Sequence, residues 1–249
     1  MSEKKENCNS VPTSTTTTTT SVTTKTTKQR TLQNFDYDDF YNYLTQQGFI
    51  GDDVIKLLYI GLKAAYNSRT VPAFLLRGPP GTGKTWITQL VANYFNANYV
   101  FIQTTLNTTE DDLLYKYVPS ETTKSGIKIL PGPLPEALRS SNNKMTVLVI
   151  DEFDKTRPSA DALLLDYLQN ARVSVRIDEN ETIITGRKDN LIVFITSNDN
   201  REFSEPLLRR VITIYYRPLP VNKVRQLLSK YFNDERILKV LTTIYLASQ

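Results

Sequence analysis

The sequence has no histidine, and its 249 residues include a single cysteine, Cys8. Without histidine there is no Ser-His-Asp or Cys-His catalytic scheme, and a zinc site loses its usual nitrogen ligand. One cysteine excludes an internal disulfide. No run reaches the ~20 apolar residues of a membrane-spanning helix, and no signal peptide is visible at the N-terminus, so a cytoplasmic location is expected. The excess of positive over negative charge is also small. The net charge is +4, and Lys4, Lys5, Lys25, Lys28 and Arg30 against Glu3 and Glu6 place +3 of it in residues 1–34. The remainder is close to neutral, which removes the electrostatic argument for a nucleic-acid partner. Apolar residues are plentiful. At 40% of the chain they can fill the core of one large domain, with or without a small appendage.

Residues 1–34 are threonine-dominated, with an unbroken run from Thr15 to Thr20. A segment with so little to bury cannot offset its ordering entropy, so a disordered tail is expected there. From Phe35 the character changes. Phe35, Tyr37, Phe40, Tyr41, Tyr43 and Leu44 follow a helical spacing, and Val54, Leu57, Leu58, Leu62 and Ala65 repeat it in a second helix. The aromatic stripe reads first as core. Gln47-Gly48-Phe49-Ile50 between the two helices is a candidate lining for a base pocket.

Next comes Gly78-Pro79-Pro80-Gly81-Thr82-Gly83-Lys84-Thr85, which fits G-x-x-x-x-G-K-[ST] at every fixed position. Glycines let such a loop wrap an anion, and its N–H groups point inward with a helix N-terminus behind them. Lys84 brings a charge for the β- and γ-phosphates, and Thr85 brings a hydroxyl for Mg²⁺. Context separates this from a Gly/Pro-rich surface turn. Ala73 to Leu76 before it is a short apolar run of strand type. Ile87, Leu90, Val91 and Tyr94 after it have helical spacing, beginning at Trp86. The whole loop from Gly78 to Thr85, with Trp86, forms the expected nucleotide contacts.

Beyond it, Asn98–Thr105 reads as a strand, Glu110–Tyr117 as a short acidic-aromatic helix, and 118–129 as a polar hairpin-like excursion. Met145 to Ile150 is a strong apolar run ending in Asp151-Glu152. Carboxylates at the C-terminal end of a parallel strand are placed for chemistry, since active-site groups gather at those ends. Asp151 is expected to hold Mg²⁺ and Glu152 to orient or activate the attacking water. The bland alternative is an acidic pair serving a helix dipole. Pro158 opens a helix with Ala162, Leu164, Leu165 and Leu168 as its apolar residues. Val173–Ile177 and Glu181–Gly186 form a hairpin turning at Asp178-Glu179-Asn180. Leu191–Ile195 is another buried strand and delivers Thr196-Ser197-Asn198 to the same sheet edge. Pro206–Arg210 is a helical turn ending in Arg209-Arg210, Val211–Tyr215 a last strand, and Val221–Tyr231 and Asp234–Leu246 are amphipathic helices.

In combination these motifs resemble the AAA+ ATPases, over about residues 48–230, and within them the MoxR-like branch. Gly78–Thr85 is similar to Walker A, and Val147–Glu152 to Walker B with its catalytic glutamate. Asn198 matches the polar sensor 1. Glu205-Pro-Leu-Leu-Arg-Arg-Val resembles the arginine-finger segment, with Arg210 the first choice and Arg209 the second. Gly132-Pro-Leu-Pro-Glu-Ala-Leu-Arg139 and Asp151–Pro158 resemble MoxR-like segments, and the Val173–Arg187 hairpin the pre-sensor 1 insert. The resemblance implies an α/β P-loop NTPase, a three-layer αβα parallel sheet with a short C-terminal helical lid. Residues 1–34 would be the tail, 35–217 the core and 218–249 the lid, trimmed or working without a sensor 2 arginine. It implies Mg-dependent ATP hydrolysis by a homo-oligomeric ring, a hexamer, that remodels a protein client. A von Willebrand-type partner would come in trans, with no nucleic acid and no membrane. Two other classes compete: a DNA-handling AAA+ ATPase (loader, initiator or helicase accessory), and a non-catalytic nucleotide-gated scaffold.

Overall fold

The computed structural model describes residues 30–121, 126–177 and 180–247. Two helices lead, α1 (Tyr37–Gln46) and α2 (Asp52–Ser68), followed by β1 (Ala73–Arg77), α3 (Lys84–Tyr94) and β2 (Asn98–Gln103). A short α4 (Glu110–Leu114) enters the hairpin β3 (Tyr115–Pro119) and β4 (Ile127–Pro131), and α5 (Pro133–Ser141) leads into β5 (Thr146–Asp151). Then come α6 (Ala160–Asn170), a second hairpin β6 (Arg172–Ile177) and β7 (Asn180–Thr185), and β8 (Leu191–Ser197). The chain continues through α7 (Glu205–Leu208), β9 (Ile212–Tyr215), α8 (Val221–Leu228) and α9 (Glu235–Ala247).

Five strands form one parallel sheet in the order β2-β5-β8-β1-β9. The central strands are covered on both faces, so they read as unbroken apolar runs. Every residue of β5 and of β8 is buried. Side chains alternate across the pleat and divide the core in two. Leu75, Leu148, Ile150, Val193 and Ile195 face α5 and α6, where they meet Leu134, Leu138, Leu164 and Tyr167. Phe74, Leu76, Val147, Val149 and Phe194 face α1, α2 and α3, where they meet Phe40, Leu58, Leu62, Ile87 and Val91. Each such side chain contributes about 1.5–3 kcal/mol on burial. The result is the expected αβα architecture, with β1, β5 and β8 ending at one common edge.

The aromatic stripe is core. Phe35 packs edge-on against Phe40, Tyr59 and Phe95 with ring centroids 5.1–5.6 Å apart. Packing begins earlier than the expected boundary at residue 35. Leu32 is 1% exposed, and Arg30 lies 4.4 Å over the Tyr94 ring and pairs with Asp39 at 2.9 Å. The tail expected over the preceding residues falls outside the described ones.

Two local expectations are corrected. Tyr115–Tyr117 is strand, not helix. Thr109 and Asp112 form a capping box that supports a single turn, and the alternating Tyr-Lys-Tyr-Val then pairs with β4. Gly132 closes the hairpin by donating to the Leu114 carbonyl at 2.8 Å. In α6, which starts at Ala160 and not at Pro158, the inward face is Ala160, Asp161, Leu164, Tyr167 and Leu168, and Ala162, about half a turn away from Ala160 and Leu164, points outward. At the other end α8 and α9 pack on each other through Val224 and Leu238, and the Tyr245 hydroxyl donates to the Leu219 carbonyl at 2.9 Å. Residues 122–125 and the turn at 178–179 lie outside the described residues.

Candidate functional site

The loop after β1 is held from both sides. Gly78 donates to the Ser197 carbonyl at 3.2 Å, and a Cβ placed on it would stand 2.3 Å from the Tyr216 carbonyl oxygen, so only glycine fits. Gly83, at φ 88°, turns the chain into α3 in the left-handed region that glycine enters freely. Lys84, the first residue of that helix, is buried at 6% exposure. Its ammonium donates to the carbonyls of Gly78 (2.6 Å) and Pro79 (2.8 Å) and to Asn198 Oδ1 (2.9 Å). Burial lowers its pKa below the usual lysine value, and Asp151, Asp154, Asp199 and Glu152 work against that shift.

The strand ends supply the opposite wall. Asp151 Oδ1 accepts from the Thr85 and Thr196 hydroxyls, each at 2.8 Å. Glu152 follows with φ 56°, a left-handed kink fixed by its N–H donating to Thr196 Oγ1 (2.8 Å) and by the Thr104 hydroxyl donating to its carbonyl (2.7 Å). Its carboxylate accepts from Asn198 Nδ2 (3.0 Å), Gln103 Nε2 (3.1 Å) and Lys155 Nζ (2.6 Å). The Lys155 bond is the largest cause holding this carboxyl below its usual pKa, so it stays ionised at neutral pH.

Between these walls lies an open cleft of about 350 Å³, lined by the loop from Pro80 to Trp86 and by Asp151, Glu152, Thr196 and Asn198. A depression of about 500 Å³ elsewhere, beside Arg69, Lys188 and Asp189, contains none of these groups. The smaller cleft carries the chemistry. Trp86 is half exposed at its rim, with its ring 5.9 Å from that of Phe49 and Gly48 beside it. The segment expected to line a base pocket is therefore next to the cleft, although Phe49 itself is buried.

The fold brings Lys84, Thr85, Asp151, Glu152 and Asn198 together. It does not bring the arginine pair to them. Arg209 pairs with Glu205, and Arg210 donates to the Pro206 carbonyl (2.8 Å) and to Gln169 Oε1 (2.9 Å), outside the cleft. Gln103, Thr196 and Lys155 touch the site and were given no role by sequence reasoning. For Gln103 and Thr196 the signal was their place at the C-terminal ends of β2 and β8.

A loop closed around a lysine beside two strand-end carboxylates is the setting in which the comparison with known proteins becomes informative. Residues 73–211 match the AAA domain of the dynein-related subfamily. The chain belongs to that family. As an AAA domain it is similar to the Lon protease of Mycoplasma mobile, 28% identical over 58% of this chain and 17% of the relative. The Lon protease of Methanosarcina barkeri is 31% identical over 56% of the chain and 17% of the relative. The replication factor C large subunit of Aeropyrum pernix is 26% identical over 75% of the chain and 33% of the relative. The AAA domain thus spans a third or less of these relatives.

Membership implies nucleotide binding at the cleft, and the residues present suit it. The loop N–H groups, the helix N-terminus and Lys84 suit phosphates. Among the described residues no three His, Cys, Asp or Glu side chains gather into a metal cage. The donors at hand are one hydroxyl and one carboxylate, Thr85 and Asp151. That set suits Mg²⁺, which takes one or two carboxylates and completes its shell with phosphate oxygens and water. No helix among the described residues is long and apolar enough to cross a membrane.

Proposed function

We propose that this AAA domain binds ATP with Mg²⁺ and hydrolyses it, within a homo-oligomeric ring that remodels a protein client. The observation that carries the reading is the hydrogen-bonded chain from Lys84 through Asn198 to Glu152 across the cleft. It ties a phosphate-directed cation to a base-competent carboxylate. Lys84 would take the β- and γ-phosphates in place of the Gly78 and Pro79 carbonyls, and Thr85 and Asp151 would hold the metal. Mg²⁺ supplies neutralisation of the charge that grows on the transferred phosphoryl group. Glu152 orients and deprotonates the attacking water, and Asn198 holds that carboxylate in place. Arg210, with Arg209 as second choice, is assigned to a neighbouring subunit's nucleotide, where a guanidinium offsets γ-phosphate charge.

Lys84→Ala and Glu152→Gln separate binding from chemistry. Lys84→Ala is expected to lose ATP affinity. Glu152→Gln is expected to bind ATP normally and hydrolyse it about 10²–10⁴-fold more slowly. Equal loss of nucleotide binding in both variants would remove the role given to Glu152.

The MoxR-like assignment is supported by the two hairpins. One precedes α5, which carries the Gly132–Arg139 segment, and the other lies between α6 and β8. Neither is paired with the main sheet; the second buries Val173, Val175 and Ile184 against the core, while Tyr117, Ile127 and Ile183 are at least half exposed, and these exposed faces are assigned to client contact. The core at 35–217, a lid at 218–249, a hexamer and a von Willebrand-type partner in trans belong to the same proposal. The relatives named proteases act on polypeptide, which favours a protein client. The replication factor C relative is the specific reason to keep a DNA-handling reading. A salt-titrated filter-binding assay separates the two, since DNA affinity that falls steeply with salt is expected only of the second.

A further inference from the structure

One acidic residue beside the cleft has no part in the chemistry so far. Asp154 sits on the 3-10 turn Phe153–Lys155, two residues beyond Glu152, and is 4% exposed. Its Oδ2 accepts three hydrogen bonds, from the N–H of Asn198 (3.0 Å), the N–H of Asn200 (2.9 Å) and Asn200 Nδ2 (2.7 Å). Its Oδ1 is sealed from solvent with no hydrogen-bond partner among the described residues. A buried carboxylate with one oxygen unserved lowers folding stability compared with a neutral group that fills the same space. Stability alone does not account for it.

The geometry around the other oxygen does. Asp199, between the two donating amides, has φ 64°. A left-handed residue between two others turns their N–H groups into one concavity, and such a concavity accepts an anion. Asp154 is that anion. The turn it fills comes directly after β8 and begins with Asn198, whose side chain accepts from Lys84 and donates to Glu152. The backbone position of Asn198 therefore depends on a carboxylate that touches neither partner of its side chain.

We infer that Asp154 is a positioning residue for hydrolysis: it seats the 198–200 turn so that Asn198 spans Lys84 and Glu152. This inference rests on the ATPase reading above. Removing the acceptor in Asp154→Ala lets the turn relax and misplaces Asn198, and misplacement of this kind lowers kcat by about 10²-fold at the upper end. ATP affinity should change far less than kcat, because Lys84 keeps its bonds to the Gly78 and Pro79 carbonyls and the loop keeps its backbone. Asp154→Asn keeps a carbonyl oxygen that can accept from the two backbone N–H groups, so it should recover part of the lost kcat.

The test measures steady-state ATP hydrolysis, nucleotide affinity and Tm for these two variants, Asn200→Ala and Glu152→Gln. Trp86 is the one tryptophan in the sequence and stands at the cleft rim, so its fluorescence reads affinity directly. The supporting result is a fall in kcat for Asp154→Ala at preserved affinity, recovery in Asp154→Asn, and a smaller fall in Asn200→Ala. Asn200→Ala loses one of the three donors and keeps the turn, so it decides the matter should Asp154→Ala fail to fold. Unchanged kcat in a folded Asp154→Ala or in Asn200→Ala overturns the inference. So does a kcat that falls only in step with affinity and Tm. A wild-type chain that binds nucleotide without hydrolysing it would overturn the ATPase reading itself. A normal Glu152→Gln loss beside an unaffected Asp154→Ala overturns the inference alone.

Discussion

In the cleft, Lys84, Asn198 and Glu152 are joined by hydrogen bonds of 2.9 and 3.0 Å, and Thr85 and Asp151 by one of 2.8 Å. Behind α7, Arg209 and Arg210 are held by Glu205, Pro206 and Gln169 of their own flank, and neither lines the cleft. The first group is assembled within one chain. The second is ordered by that chain but directed away from its own site. In the proposed mechanism a single copy therefore carries the phosphate-binding and water-activating parts, and the guanidinium comes from the next copy of the ring.

The sharpest way to break this contrast is a mixing experiment. Arg210→Ala and Glu152→Gln should each be nearly inactive, the former by about 10³–10⁵ in rate if the finger is of the usual strength. Mixed, some interfaces join an intact Glu152 to a neighbour's intact Arg210, and activity should partly return. A co-assembled mixture as inactive as its parts would place the arginine in its own subunit's chemistry or in none. A second experiment extends the contrast to the other outlying elements. Replacing residues 120–126 with a short Gly/Ser linker should leave basal hydrolysis intact and abolish its stimulation by client, with circular dichroism confirming the fold.

The smallest effect concerns the preassembled side. Lys155 holds the Glu152 carboxyl below its usual pKa. With a depressed folded-state value, the pair's contribution to stability is present above the unfolded glutamate pKa and is lost as pH falls through the folded one. Lys155→Met should raise that pKa and move the acid limb of the kcat–pH profile upward. Its cost in stability should be small, because the pair lies at the surface and is screened by solvent. An acid limb that does not move would show that Lys155 leaves the working charge of Glu152 alone.

Much of this was legible in the sequence because the decisive signals are local. Parallel strands buried on both faces must be unbroken apolar runs, and Val147–Ile150 and Leu191–Ile195 are such runs. Lys84 and Glu152 sit at fixed offsets from a glycine loop and from a strand end. For Gln103 and Thr196 only the place at a strand end was legible, and the contacts of Asp154 were not, because these depend on β2, β5 and β8 lying side by side, an order the chain does not spell out. Leu32 was missed for the opposite reason. A lone leucine among threonines has no periodicity, and its burial comes entirely from the helices it packs beneath. Tyr115 and Tyr117 suit a helix or a strand equally, and it was pairing with β4 that decided.

Tyr216 carries a last consequence. Its N–H donates to the Arg77 carbonyl at 2.6 Å, and its own carbonyl oxygen occupies the space where Gly78 lacks a side chain. Gly78 begins the phosphate loop, and Tyr216 leads within a few residues to α8. The mouth of the loop and the root of the last two helices therefore share one fulcrum, with no side chain between them to act as a cushion. A lever mounted that tightly transmits small angles. A side chain at position 78 would therefore push on the strand end that carries α8 and α9.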